Sequence, residues 1–356
     1  MNNRLINTGF NNIIPSATIA YVASATADSI TSIDISDSTN LLELDSYTDA
    51  DLNSARGITL DLDNNIAYVG SSLADTITSI NISDPNNLQF LDSYSSSNLD
   101  SARGIALDVA NQIAYVVSRN ADSITSIDIS NPLNLSELDS ITSNQLNVVE
   151  NVVLDLNRQI AYTFGQAIGF CFLNTIDISN PNNLVSINVT SFSDIEGSTY
   201  MVLDLDNNIA YVSSEINARL TTIDISDTNN PTEIYGFIVP GLTELTGIAL
   251  DLNNNVAYVL SPTEESITAI DINNPLSFSV LSTYSNAILS DAQEVKLDLS
   301  NQIAYVTGFK ENAIIAIDIS DPSNIDLSTL VSSGNLNGSF GIALNIPGPA
   351  STNAYS

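Results

Sequence analysis

Apolar positions come in short runs of Ile, Val, Leu, Ala and Tyr, cut by clusters of Asp, Asn, Ser and Pro, and the same order of runs recurs along nearly the whole chain. The tripeptide Ala20-Tyr21-Val22 returns at Ala67, Ala114, Ala161 (with Thr163 in place of Val), Ala210, Ala257 and Ala304, at spacings of 47, 47, 47, 49, 47 and 47 residues. A second anchor, Ile-Asp-Ile, starts at Ile33, Ile127, Ile176, Ile223, Ile270 and Ile317, with Ile80-Asn81-Ile82 as its variant. Seven copies therefore fill almost the whole chain, and a fixed period of this size marks a repeat architecture.

Each copy holds four apolar runs. In the second they are Gly57 to Leu62, Ile66 to Gly70, Ile77 to Ser83 and Leu88 to Tyr94. Ile, Val, Tyr and Thr suit a pleated sheet, so the runs predict strands. Asp63-Asn64-Asn65 separates the first two, and these residue types tolerate the backbone of a tight hairpin. Asp84-Pro85-Asn86-Asn87 separates the last two, where Pro ends a strand because it has no N–H to give to a ladder. No segment sustains a 3.6-residue apolar period, so helices should be few.

Four strands per copy and seven copies predict an all-β, seven-bladed β-propeller of antiparallel four-stranded blades over residues 17–346. Successive apolar positions such as Ile66-Ala67-Tyr68-Val69 fit a sheet covered on both faces by its neighbours. The last copy is followed by Gly341-Ile342-Ala343-Leu344-Asn345, a first-strand sequence with no second strand after it, while the first copy has only a weak first strand around Phe10 to Ile14. The C-terminal strand is therefore expected to complete the first blade and close the ring. Residues 1–16 would be an edge strand or a free arm, and 347–356 a tail.

The runs Gly104-Ile105-Ala106-Leu107-Asp108, Ile113-Ala114-Tyr115-Val116 and Ser126-Ile127-Asp128-Ile129-Ser130 resemble the surface-layer YVTN-type propeller repeat. Asn131-Pro132 with Leu135 to Ser140 is similar to the LVIVD repeat of bacterial and archaeal surface proteins. The resemblance covers roughly residues 17–346, and it implies a propeller displayed at a cell or particle surface in an adhesive or binding role.

Composition narrows the chemistry. The chain has 356 residues, enough to bury roughly 75% of its unfolded surface without staples. With 8 Lys plus Arg against 41 Asp plus Glu the net charge is −33, which argues against nucleic acid and anionic membrane as partners. There is no His and one Cys, Cys171, so Ser-His and Cys-His catalytic pairs, disulfides and His-based zinc sites are excluded. No stretch approaches the length of a membrane-spanning helix. The first residues carry no apolar core of a secretory leader in this form.

Three features carry candidate chemistry. An Asp ends the first strand of six copies: Asp61, Asp108, Asp155, Asp204, Asp251 and Asp298. These form either a carboxylate ring at one mouth of the central channel, suited to Ca²⁺, or ordinary turn caps. The fourth copy carries two extra residues between Thr163 and Thr175, where Phe164, Phe170, Cys171 and Phe172 would either give an inter-strand loop an apolar contact for a ligand or partner, or belong to a longer second hairpin that packs on its neighbour with Cys171 as a small buried hydrophobe. Leu52, Leu99, Leu146, Ile195, Leu242, Leu289 and Leu336 recur once per copy, as plugs between blades or, if exposed, as a docking face.

No carboxylate pair stands out as catalytic, so the leading expectation is a non-catalytic binding or structural module. Its partner would be protein, glycan or another copy of the chain, with no catalytic residue and no obligatory cofactor. The rival expectation is a hydrolase or lyase working with acidic residues, with or without Ca²⁺.

Overall fold

The computed structural model describes residues 18–167 and 169–346. They form seven four-stranded antiparallel sheets, one for each sequence repeat. In the second blade the strands are Ala55–Asp61, Ile66–Ser71, Thr76–Asn81 and Gln89–Ser95, running from the channel outward. The expected arms at 1–16 and 347–356, and the weak strand at Phe10 to Ile14, lie outside the described residues.

Hairpin chemistry sets the strand ends. Asn65, Gln112, Gln159, Asn208, Asn255 and Gln302 close the first hairpins in the left-handed region, with φ between 54° and 58°. A left-handed non-Gly residue costs roughly 1–2 kcal/mol, offset here by the Asp caps described below. Between the third and fourth strands every blade carries a register shift, as at Ser79/Ile80 and Ser126/Ile127. A bulge at one fixed place raises local twist in every blade alike.

The repeated sequence anchors prove to be contacts between blades. Tyr21 donates its hydroxyl to the Ile82 carbonyl of the next blade at 3.3 Å, and Tyr115 and Tyr305 do the same to Ile178 and Ile35. Such a tie needs a long side chain with a polar tip in an otherwise apolar seam, which explains why Tyr recurs. Seven apolar clusters fill the seven seams. Leu52, Leu99, Leu146, Ile195, Leu289 and Leu336 are all buried in them, so the recurrent apolar residue is a plug and not a docking face. Leu242 departs from this expectation. The Pro240-Gly241 turn, with Gly241 at φ 84°, leaves Leu242 only partly buried, and Leu245 takes the buried seat.

Closure follows the sequence reading. Ser339–Asn345 pairs with Ile19–Ser24 in the register Ile19↔Asn345 to Ala23↔Gly341, so the end of the chain supplies the innermost strand of the first blade. The innermost strands then touch one another in succession around the ring, closing strand to second blade included. Among the described residues no helix is long and apolar enough to cross a membrane.

Candidate active site

In four of the seven blades the inner strands approach so closely that one repeat position has room only for glycine. A Cβ on Gly57 would lie 1.9 Å from the Arg103 carbonyl oxygen, and one on Gly341 would lie 2.0 Å from that of Arg56. Gly104 and Gly247 occupy the same position in their blades. In the other three blades the position holds Asn151, Tyr200 and Glu294. These three side chains line a cavity of about 290 Å³ at one mouth of the channel.

The position just before it supplies Arg56, Arg103, Glu150, Thr246, Gln293 and Phe340. A third column, just past the second strand in the third, fifth and sixth blades and within the lengthened second strand of the fourth, supplies Arg119, Glu215, Pro262 and Gln166, and Lys296 comes from further down the seventh blade's inner strand. Three columns of the repeat therefore build the cavity, at the places where the repeat does not repeat. Four of the chain's 8 cationic residues, Arg56, Arg103, Arg119 and Lys296, line it.

Charges inside the cavity are unevenly satisfied. Glu150 divides its two oxygens between Arg103, at 3.3 Å, and Arg119, at 2.9 Å. Glu294 binds Lys296 at 2.9 Å with one oxygen and accepts the Ile342 N–H at 2.9 Å with the other. Arg56 has no carboxylate partner among the described residues. Its Nε donates to Ser72 Oγ at 3.3 Å, and its guanidinium lies 4.4 Å from the Phe340 ring centroid. Burial, and then the neighbouring Arg103, bring its pKa down to about 10, which still leaves it a cation at neutral pH. Arg103 Nε is buried without a hydrogen-bond partner. Two adjacent guanidinium groups with unmet donors form a site for an anion or a developing oxyanion.

Proton chemistry is available beside them. Glu215 reaches solvent at the rim and makes no side-chain hydrogen bond among the described residues. Withdrawal from water, followed by the charges of Glu244 and Glu150, holds its carboxyl above the ordinary value. A raised carboxyl in a cleft is the usual mark of an acid–base group. Burial pushes the Tyr200 phenol well up, with Glu294 and Glu150 adding to the effect and Arg56 and Arg103 opposing it. Tyr200 therefore stays protonated and can donate a hydrogen bond into the cavity.

The residues singled out in the sequence lie elsewhere. Asp61, Asp108, Asp155, Asp204, Asp251 and Asp298 end the inner strands, about 16 Å along the strand from the arginine position at the usual rise per residue. Each is buried and spends both oxygens on its own turn. Asp61 accepts the Asn64 N–H at 3.1 Å and the Asn64 side-chain amide at 2.7 Å, and Asp108, Asp204, Asp251 and Asp298 repeat the pattern. Asp155 caps Arg158 instead, through the backbone N–H and an ion pair. Among the described residues no group of three or more His, Cys, Asp or Glu is placed to hold a metal ion.

Of the two readings of the fourth blade's insertion, the structure has the lengthened hairpin, with strands Ile160–Ala167 and Phe170–Asp177. The two extra residues extend the ladder, which buries Phe164 and Cys171 in the seam to the fifth blade, with Phe164 6.3 Å from Phe192. Phe170 and Phe172 pack edge-on at 5.1 Å, with Phe170 exposed.

No family model matches the chain, and no curated protein is similar to it in sequence. The YVTN and LVIVD resemblance thus stands for the architecture alone. Solved structures match the fold over nearly its whole length. The periplasmic gluconolactonase of Pseudomonas aeruginosa superposes with a TM-score of 0.76 at 11% identity, covering 92% of this chain and 99% of its own. A 6-phosphogluconolactonase candidate from Bacteroides uniformis gives 0.76 at 9% identity, with the same shares covered. Another from Bacteroides fragilis gives 0.72 at 11%, covering 93% of this chain and 99% of its own. At such identities the likeness establishes a shared fold. This wheel is one that proteins named as lactonases use, which counts against the expectation of a non-catalytic surface module. The premise of that expectation also fails, because the cavity does set particular charged groups apart from the rest.

Proposed function

We propose that the protein is a hydrolase that opens small lactones of sugar acids, with the channel-mouth cavity as its active site. The observation that carries this reading is the pair Arg56, without an ion-pair partner among the described residues, and Arg103, whose buried Nε has no hydrogen-bond partner, lining the same cavity as the raised carboxyl of Glu215. The names of the structural neighbours supply the substrate class, and the cavity's volume suits a single sugar ring.

Lactone opening needs a base for water, a place for negative charge on the carbonyl oxygen, and a proton for the ring oxygen. Glu215, ionised, takes a proton from water as the oxygen adds to the carbonyl carbon. The oxyanion is met by the Arg56 and Arg103 donors and by the Tyr200 hydroxyl. The ring C–O bond then breaks and the departing oxygen takes the proton from Glu215, leaving a hydroxy acid and an ionised base. An anionic substituent on the substrate is drawn to the same cations, so a phosphorylated lactone should be preferred to a neutral one.

The test is turnover of glucono-δ-lactone and its 6-phosphate, followed by base uptake at constant pH with the spontaneous rate subtracted. Acceleration abolished by Arg56→Ala supports the assignment. A folded wild type that leaves both lactones at their spontaneous rates refutes it.

A further inference from the structure

We infer that Phe340, on the ring-closing strand, is a positioning residue for Arg56, so that closure of the wheel and assembly of the anion site are one event. The inference rests on the cavity being a working site.

Arg56 enters from the second blade's inner strand, and Phe340 from the strand that closes the first blade. A long guanidinium side chain with a single weak tether, Ser72 Oγ at 3.3 Å, is not fixed by that bond alone. The Phe340 ring 4.4 Å from the guanidinium carbon supplies the remaining constraint, because the ring face attracts a cation without consuming its N–H donors. A carboxylate in that place would hold Arg56 more strongly but would neutralise it and occupy the donors that a ligand needs. Every other cavity cation in an ion pair has a glutamate: Arg103 and Arg119 share Glu150, and Lys296 pairs with Glu294.

Phe340 is itself held. Phe309 packs edge-on at 6.4 Å, and Thr307 donates its hydroxyl to the Phe340 carbonyl at 2.8 Å. Two residues along, the Ile342 N–H holds Glu294 at 2.9 Å. One short stretch of the closing strand thus sets a cation on one side of the mouth and a carboxylate on the other.

The experiment compares wild type, Phe340→Leu and Phe340→Tyr by calorimetric titration with inorganic phosphate, by KM and kcat on 6-phosphogluconolactone, and by melting temperature. The leucine keeps apolar bulk and removes the ring face; the tyrosine keeps the ring. Phosphate affinity and kcat/KM should each fall roughly fivefold in Phe340→Leu and recover in Phe340→Tyr. The idea is overturned if Phe340→Leu matches wild type in both readings, if Phe340→Tyr is as impaired as Phe340→Leu, or if wild type neither binds phosphate nor opens the lactone. Should Phe340→Leu fail to fold, weak binding by a well-folded Phe340→Tyr overturns it as well. Arg56-dependent phosphate binding without lactone turnover refutes the proposed reaction and leaves the positioning role standing.

Discussion

Arg103, on the third blade's inner strand, and Glu150, just ahead of the fourth blade's, meet at 3.3 Å, and the second oxygen of the same carboxylate holds Arg119 at 2.9 Å. One acid thus spaces two cations that would otherwise repel, in a cavity where a third, Arg56, forms no ion pair among the described residues. The arrangement is polarised: bare glycines and arginines on the side of the second and third blades, Tyr200 and Glu294 opposite. A substrate with charge at one end and an ester at the other has two different surfaces to meet.

Glu150→Gln should therefore both destabilise the fold and leave it hungrier for anions. Arg103 and Glu150 are only 12% and 15% exposed, so losing the charge should cost about 2 kcal/mol, between the surface and buried limits. Urea denaturation with and without phosphate checks this. Phosphate should recover more stability in the variant than in wild type.

Glu215 gives a pH dependence of definite sign. Its carboxyl is raised in the folded state, so the fold holds that proton more tightly than the unfolded chain does. Its contribution to stability is complete below the ordinary glutamate value of about 4.3 and is lost as pH rises through the raised value. Glu215→Gln should therefore melt higher than wild type at neutral pH and level with it in acid. Activity runs the other way: kcat/KM of wild type should rise with pH as Glu215 ionises. Melting curves and rate profiles over the same buffers test both.

Gly57→Ala should be costly. Its Cβ would fall 1.9 Å from the Arg103 carbonyl oxygen, whereas Gly334 has nothing within 4 Å. Forcing the inner strands apart should cost about 1–3 kcal/mol and displace Arg103, while Gly334→Ala should be near neutral. Chemical denaturation of the two variants side by side decides it.

Leu99→Ala tests the seam plugs. Leu99 is fully buried between the second and third blades, so truncation should cost about 3 kcal/mol, whereas the partly buried Leu242 should cost much less. Equal losses would mean that the fifth loop is seated like the others.

Strand order, hairpin turns and ring closure were legible in the sequence because each is dictated by a residue type that recurs in register. Tyr21, Tyr68 and Tyr115 announce the seams, and Gly341 to Asn345 announce the closing strand. The cavity was missed for the opposite reason. What recurs is Asp61 and its equivalents, which the fold spends on its own turns, the turn-cap reading of the two the sequence offers. The cavity's distinctive groups sit where the repeat fails, with Asn151, Tyr200 and Glu294 in a glycine column and Glu215 in the column of Ser72 and Arg119. Reading down the columns would have found them. Nothing in a single copy indicates that Arg56 lines the cavity without an ion-pair partner among the described residues, since that depends on the other blades.

The most direct test of the account is the ratio of kcat/KM between wild type and Glu215→Gln on 6-phosphogluconolactone, measured at neutral pH with both proteins shown to be folded. Loss of a general base predicts a drop of about 10²- to 10⁴-fold in a protein that is no less stable. Equal rates in the two proteins would contradict the assignment of this cavity as a hydrolytic site.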